Sequence, residues 1–246
     1  MFATNPRTVE AEDLDSLAPE DPRARRSRRD LQRIHAIMNT RAIAREALVS
    51  AIPEASGRRL RVLDLGSGDG AVLASIARAL APQWPRVDLT MIDRQRSVDA
   101  ATMAGFAELG WSATFELADV LDWSRASQAH AQTPWDVILC HLFLHHFSRE
   151  DLTTILQAVG ARCQVFFACE PRRSPIALAS SRLVALIGAG PVTRKDAVLS
   201  VRAGFRGREI AALWQDSKEQ WSVREYAAGL FSHCFVARRN PGSCPP

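Results

Sequence analysis

Three glycines and three carboxylates pose the chemical question. Between Arg61 and Ala71 the chain reads RVLDLGSGDGA, so that Gly66, Gly68 and Gly70 alternate with Ser67 and Asp69, and Asp64 stands two residues before the first glycine. Such a run lets the backbone reverse tightly and lets a ligand approach N–H groups that carry no side chain. Asp93 follows 23 residues after Gly70, close to the spacing of roughly 20 at which an acidic residue holds ribose hydroxyls in nucleotide-binding folds. Two vicinal hydroxyls suit one bidentate acceptor, although an N-cap for the helix that follows is a competing role for Asp93. The third carboxylate is Asp119. A second chemical group is His141, His145 and His146 in HLFLHHF, where a neutral imidazole suits removal of a proton near pH 7. Adjacent residues point in different directions, so at most one base is expected, with His145 favoured and the other histidine packed or hydrogen-bonded. Leu142, Phe143 and Leu144 between them are apolar and no carboxylate is interleaved. No metal site is expected, because a metal needs converging ligands.

These residues need strands that end at one edge. Val62, Leu63 and Leu65 read as a short buried strand, and AVLASIARAL after the glycines has helical spacing. RVDLTMID then forms a strand ending in Asp93, RSVDAATMAGFAELG a helix, and WSATFELADVLDW a third strand ending in Asp119. PWDVILC is a fourth strand, and SREDLTTILQAV a helix capped by Ser148, with Asp151 in the capping-box position. ARCQVFFACEP is a fifth strand ending at Glu170 and Pro171. Strands alternating with helices imply an open parallel sheet whose ligands bind at the carboxyl ends of the strands. Beyond the fifth strand, PIALASSRLVALIGAG is helix-like, GPVTRKDAVLSVRAGFRG breaks the alternation, and GREIAALWQDS reads as the last helix. WSVREYAAGLFSHCFVARR reads as two strands joined at Ala227 to Gly229. At the other end, residues 1–22 are polar, with Pro6, Pro19 and Pro22, and read as a loose lead-in. Residues 23–50 are helical in pattern, with Leu31, Ile34, Met38, Ala44 and Leu48 opposite an arginine face.

With 246 residues, 47% hydrophobic and 24% charged, the chain can bury a sizeable core in one domain. No apolar run reaches the roughly 18 residues of a membrane span, and the N-terminus has acidic residues and no apolar core. No signal peptide and a cytoplasmic location are therefore expected. The net charge of +4 is carried almost wholly by arginine, with Lys195 and Lys218 the two lysines. Six arginines between Arg23 and Arg33 could form an RNA-binding patch, but a solvated helix face fits the arginine bias of the whole chain better. Neither a nucleic acid nor a membrane is expected as a partner. Cys140, Cys163, Cys169, Cys234 and Cys244 form no C-x-x-C pair, and the first four lie in apolar runs as buried thiols.

The glycine spacing alone fits two cofactors: Gly66, Gly68 and Ala71 match the pattern of dinucleotide binders, while Gly66, Gly68 and Gly70 match that of S-adenosylmethionine (SAM) enzymes. The whole run VLDLGSGDG, with Asp64 ahead of it, resembles the first motif of class I SAM-dependent methyltransferases. Three carboxylates ending three successive strands favour SAM, because a dehydrogenase has no need of the third. The resemblance covers roughly residues 58 to 239. It implies a doubly wound, seven-stranded, mostly parallel α/β sheet with an antiparallel pair at the end and an N-terminal helical extension. Residues 1–57 would be lead-in and helical cap, and residues 58–240 the SAM-binding domain. Cofactor contacts implied are Asp64, Gly66, Ser67, Gly68, Asp93 and Arg94, Asp119 and Val120 at the adenine, and His141. The HLFLHHF and PVTRKDAVLSV segments resemble small-molecule methyltransferases of quinone and aromatic polyketide biosynthesis. They imply O-methylation of a phenolic or enolic hydroxyl, with His145 or His146 as base. Methylation of carbon or nitrogen, an NAD-dependent oxidoreductase, and an inactive methyltransferase-like interaction protein are the alternatives.

Overall fold

The structure, a computed structural model, describes residues 6–52, 57–126, 134–214 and 220–242. Seven strands form one sheet: β1 (Leu60–Leu65), β2 (Val87–Asp93), β3 (Trp111–Leu117), β4 (Trp135–His141), β5 (Cys163–Pro171), β6 (Trp221–Ala228) and β7 (Ser232–Arg239). Their order is β3-β2-β1-β4-β5-β7-β6. The first five are parallel, whereas β7 runs antiparallel to both β5 and β6. So β6 and β7 form the antiparallel pair expected from the sequence, and β7 is the strand that opposes the direction of the sheet. The order reverses direction between β1 and β4, and there the carboxyl ends of the strands open into a crevice.

The strands are near-continuous apolar runs because both faces are covered. Side chains alternate between two cores. Val62, Val137, Leu139 and Phe167 join one with α3 (Thr40–Ala51), α4 (Ala71–Leu80) and α5 (Ala100–Glu108). Leu63, Ile138, Cys140 and Phe166 join the other with α7 (Arg149–Arg162) and the segment around Ile210–Trp214. Cys140, Cys163, Cys169 and Cys234 are buried, and Cys244 lies outside the described residues. No helix among the described residues is long and apolar enough to cross a membrane.

Four sequence expectations change. Residues 6–21 are not loose: they cross the carboxyl edge of the sheet as a strap containing one short turn of helix, α1 (Asp13–Ser16). The helix expected over residues 23–50 is two, α2 (Pro22–Ile37) and α3, broken where Asn39 takes a left-handed φ of 56°, which asparagine tolerates better than most residues. The stretch expected to be irregular holds a regular 13-residue helix, α9 (Pro191–Ala203), after α8 (Pro175–Ser181) and a short 3₁₀ turn at Val184–Ile187. The expected last helix is instead a series of hydrogen-bonded turns up to Trp214, the rest of it lying outside the described residues. Glu225 accepts from the Ile210 and Ala211 N–H groups, and Gly207 with φ 61° precedes them. These turns still bury Ile210, Leu213 and Trp214, and Trp214 stacks on Phe166 at 5.8 Å. Smaller shifts follow the same logic. β3 stops at Leu117, and Asp119 caps α6 (Val120–Arg125) by accepting from Leu121 N–H at 2.7 Å. Asp99, not Asp93, caps α5.

Candidate active site

The β1–α4 turn is built by its glycines. Gly66, Gly68 and Gly70 have φ of 71°, 55° and 73°, a region closed to most side chains. Asp93 at the end of β2 ties the turn down, accepting from Gly68 N–H at 2.9 Å and from Gln95 N–H at 2.8 Å. Asp64 is buried, and burial, with the Asp93 charge second, holds its carboxyl well above the usual carboxylate range. The Ser67 hydroxyl and His141 Nε2 are buried in this region with no hydrogen-bond partner among the described residues. Buried polar atoms are ordinarily paired, so both fit a polar ligand. Burial and nearby His35 push His141 down to about 3, so it meets such a ligand neutral. Phe143 packs directly on Gly66, where a Cβ would lie 2.0 Å from the ring.

The second cluster lies where β4 leaves the sheet. Leu142 takes a left-handed φ of 48°, a strain of about 1–2 kcal/mol for such a residue. The 3₁₀ turn Leu144–His146 follows. Fully buried Glu170 on β5 accepts from the backbone N–H groups of Phe143 (3.0 Å), Leu144 (2.9 Å) and His145 (3.3 Å), and pairs with His145 Nδ1 at 2.8 Å. His145 Nε2 faces Glu12 Oε1 of the strap at 3.3 Å, and Glu12 also accepts from the Ser200 hydroxyl of α9. Burial by itself would lower the His145 pKa, but the bonds to Glu12 and Glu170 outweigh it and push it up to about 9. Both carboxylates are held below their usual range despite burial, chiefly by His145. His145 is thus an imidazolium wedged between two carboxylates.

His146 differs. Its Nδ1 lies 3.4 Å from Asp15 of the strap, and burial, then the charge of His145, lowers its pKa. It is neutral near pH 7. Glu12, His145 and His146 bring ligand-type atoms within 4.8 Å of one another, a convergence the sequence spacing did not reveal. Both ring nitrogens of His145 already face carboxylates, so a metal ion there would have to displace the proton shared with Glu12.

The strap is held at both ends. Arg7 donates to the carbonyls of Ala203 (2.7 Å), Phe147 (2.9 Å) and His145 (2.9 Å), and its guanidinium lies over Phe205. Asp196 of α9 accepts from Asp13 and Leu14 N–H. Farther on, Asp15 pairs with Arg94 at 3.2 Å, and Gln95 donates to the Asp15 carbonyl at 3.1 Å. Arg94, expected at the cofactor, is thus engaged with the strap. Beneath the strap lies a cavity of about 580 Å³, within the usual range for small-molecule sites. All of Asp64, Gly66, Ser67, Gly68, Asp93, Arg94, Asp119, Val120, His141, His145 and His146 line it. Glu12, Asp15 and Ser200 line it too, and sequence reasoning missed them as site residues. Glu170 left a signal, a lone charge at the end of an apolar strand, since buried charges need partners. Glu12 left none, because its surroundings have the composition of a solvated linker.

Residues 62–164 match the family described as Methyltransferase domain. Over these residues, which run from β1 to the start of β5, the chain carries a methyltransferase domain. The Ser67 hydroxyl and His141 nitrogen, without partners among the described residues, are consistent with a polar ligand beside the glycine turn. The chain is similar in structure to the plantazolicin methyltransferase BpumL in complex with SAH: TM-score 0.63, 17% identity, covering 90% of this chain and 92% of that one. The magnesium protoporphyrin IX methyltransferase ChlM from Synechocystis PCC 6803 with bound SAM gives 0.51 at 14% identity, covering 87% and 84%. The pyocyanin biosynthetic protein PhzM gives 0.53 at 17%, covering 93% and 62%. Identities this low establish the shared fold. No curated protein sequence matches the chain.

Proposed function

We propose that the enzyme O-methylates a phenolic or enolic hydroxyl of a small aromatic, polyketide-like or quinone-precursor molecule, with His146 as the base. The observation that carries this reading is one cavity lined both by the strand-end carboxylates Asp64, Asp93 and Asp119 and by a neutral histidine, His146. Bound SAM supplies an electrophilic methyl group for an in-line displacement. The protein's task is then to align the acceptor and remove its proton. Asp93 would hold the ribose hydroxyls through lone pairs its backbone bonds leave free, with Asp119 and Val120 at the adenine and Asp64 toward the cationic part of the donor.

His145, favoured from sequence, is poorly suited to be the base because an imidazolium with both nitrogens engaged has no site for a further proton. It instead fixes the 3₁₀ turn that carries His146. Asp15 beside His146 Nδ1 would orient the ring and leave Nε2 as proton acceptor. Leu14, Phe143 and Phe147 on the cavity wall suit a planar apolar acceptor, and the small molecules in the names of the structural neighbours are in keeping with that class. Residues 1–57 would act as the cap over the acceptor and residues 58–240 as the SAM-binding domain.

Incubating the protein with methyl-labelled SAM and a panel of phenols and hydroxyquinones, then mapping the label by mass spectrometry and NMR, tests the proposal. An O-methyl ether is expected, formed at a rate that falls with acidification through a pKa below the ordinary 6.5 of histidine. Label on ring carbon, or turnover indifferent to acid, would overturn the O-methylation reading with His146 as base.

A further inference from the structure

Of the eight large apolar side chains most exposed among the described residues, four fall between residues 176 and 187: Ile176, Leu183, Leu186 and Ile187. Leu186 is 81% exposed, and the 3₁₀ turn Val184–Ile187 buries none of its residues. The segment is nevertheless held in place. Ala177 and Ser181 of α8 are buried beneath it, and Arg26 of α2 donates to the Gly188 carbonyl at 3.3 Å. That bond brings the arginine face of α2 alongside the apolar turn. Helical spacing puts Arg25, Arg29, Arg33 and Ile37 on the same outward arc as Arg26, and Ile37 is itself 58% exposed. Arg33 is paired with Asp30 at 3.1 Å. Arg25, Arg26, Arg29 and Arg182 make no ion pair among the described residues.

Aliphatic side chains flanked by unpaired arginines form the pattern of an interfacial membrane contact, in which apolar groups enter the acyl boundary and cations meet lipid phosphates. A nucleic acid fits less well, because single strands need stacking platforms and neither residues 176–187 nor α2 carries Phe, Tyr or Trp. A second copy also fits less well: four aliphatic side chains offer on the order of a few hundred Å², below the roughly 800 Å² per partner of a stable protein interface. We propose that residues 176–187 and the outward arc of α2 dock the enzyme on an anionic lipid bilayer, Leu183, Leu186 and Ile187 entering it and Arg25, Arg26, Arg29 and Arg182 meeting its head groups. This contact is peripheral, so it is compatible with a chain whose described helices are too short and polar to span a bilayer.

Flotation of the full-length protein with phosphatidylcholine vesicles, with and without phosphatidylglycerol, is the test. Binding is expected to the phosphatidylglycerol vesicles, to weaken as salt is raised, and to be much lower on phosphatidylcholine alone. The double variant Leu183→Ser, Leu186→Ser should bind at least about tenfold more weakly. Arg25→Gln with Arg29→Gln should lose about tenfold to thirtyfold and much of the salt dependence. All these side chains are exposed, so melting temperature and SAM affinity should stay at wild-type values, and Leu186→Gln alone serves as the mildest variant. Four results would overturn the proposal: no flotation with phosphatidylglycerol vesicles, equal flotation with both kinds, flotation unmoved by either pair of substitutions, or binding of single-stranded RNA that those substitutions remove while flotation persists. A dimer dissociated by the leucine variants, with no vesicle binding, would assign the surface to a second copy.

Discussion

Around the glycine turn, Asp64, Gly66, Ser67 and Gly68 come from five consecutive positions, and Asp93, 25 residues on, completes the turn by binding Gly68 N–H. At the histidine cluster, by contrast, Glu12 meets His145 across 133 positions, and Arg7 reaches the Ala203 carbonyl across 196. One region of the cavity is local and the other exists only when the N-terminal strap docks on α9 and the β4–α7 turn. Donor binding and acceptor chemistry should therefore be separable by mutation, even though they share a cavity.

The largest separation of the two regions is expected from His146→Ala. We expect kcat to fall by about a hundredfold or more, the usual worth of a general base, while SAM affinity measured by calorimetry stays unchanged. Full kcat in this variant would show that the acceptor needs no histidine base, and methylation at carbon would then be the better account.

His145→Ala attacks the scaffold. Removing the cation leaves Glu170 and Glu12 buried without their partner, and breaking a buried pair costs about 3–5 kcal/mol, readable from denaturant midpoints. The pH dependence has a definite sign. The folded pKa is raised to about 9 from about 6.5 in the unfolded chain. The stabilisation is therefore complete below about pH 6.5 and is lost as pH rises through about 9. A wild-type stability that is flat from pH 6.5 to 9, or one that rises, would contradict the ion pair.

Asp93→Ala should weaken SAM by roughly tenfold to a hundredfold, from loss of a charged acceptor worth about 1.5–3 kcal/mol. Part of that loss will come through the turn, since Asp93 also holds Gly68 N–H. Wild-type SAM affinity in the variant would remove Asp93 from the donor site. The smallest effect is expected from losing the strap. Deleting residues 1–17 removes Arg7, Glu12 and Asp15 together, and should raise the acceptor KM on the order of tenfold while changing SAM affinity little. A truncated protein that loses SAM affinity as strongly as acceptor affinity would show that the two regions are one unit.

The sequence by itself determined the strand–turn–helix unit at Gly66–Gly70, the alternation of strands and helices, and the carboxylates at Asp93 and Asp119. Each of these depends on neighbours in the chain: apolar periodicity, glycines at left-handed positions, a carboxylate at the end of a strand. It also brought out His145 and His146, but not the difference between them. That difference is a matter of tertiary structure, because a histidine's protonation follows from what surrounds both ring nitrogens, and here the surroundings come from β5 and from residues 12 and 15. The same reason explains why residues 6–21 read as a loose lead-in. Their polar side chains look solvated until Asp196, Ser200, Arg94 and the carbonyls of the 3₁₀ turn supply partners far away in sequence. The helix expected at residues 207–217 failed for a like cause: its apolar spacing was read correctly as burial, but Glu225, on a strand not yet formed when local pattern is all there is, claims the N–H groups of Ile210 and Ala211. Local pattern settles which residues go inside and where the chain turns. Which charges meet, and hence which histidine is free to take a proton, is decided only when distant segments close on one another.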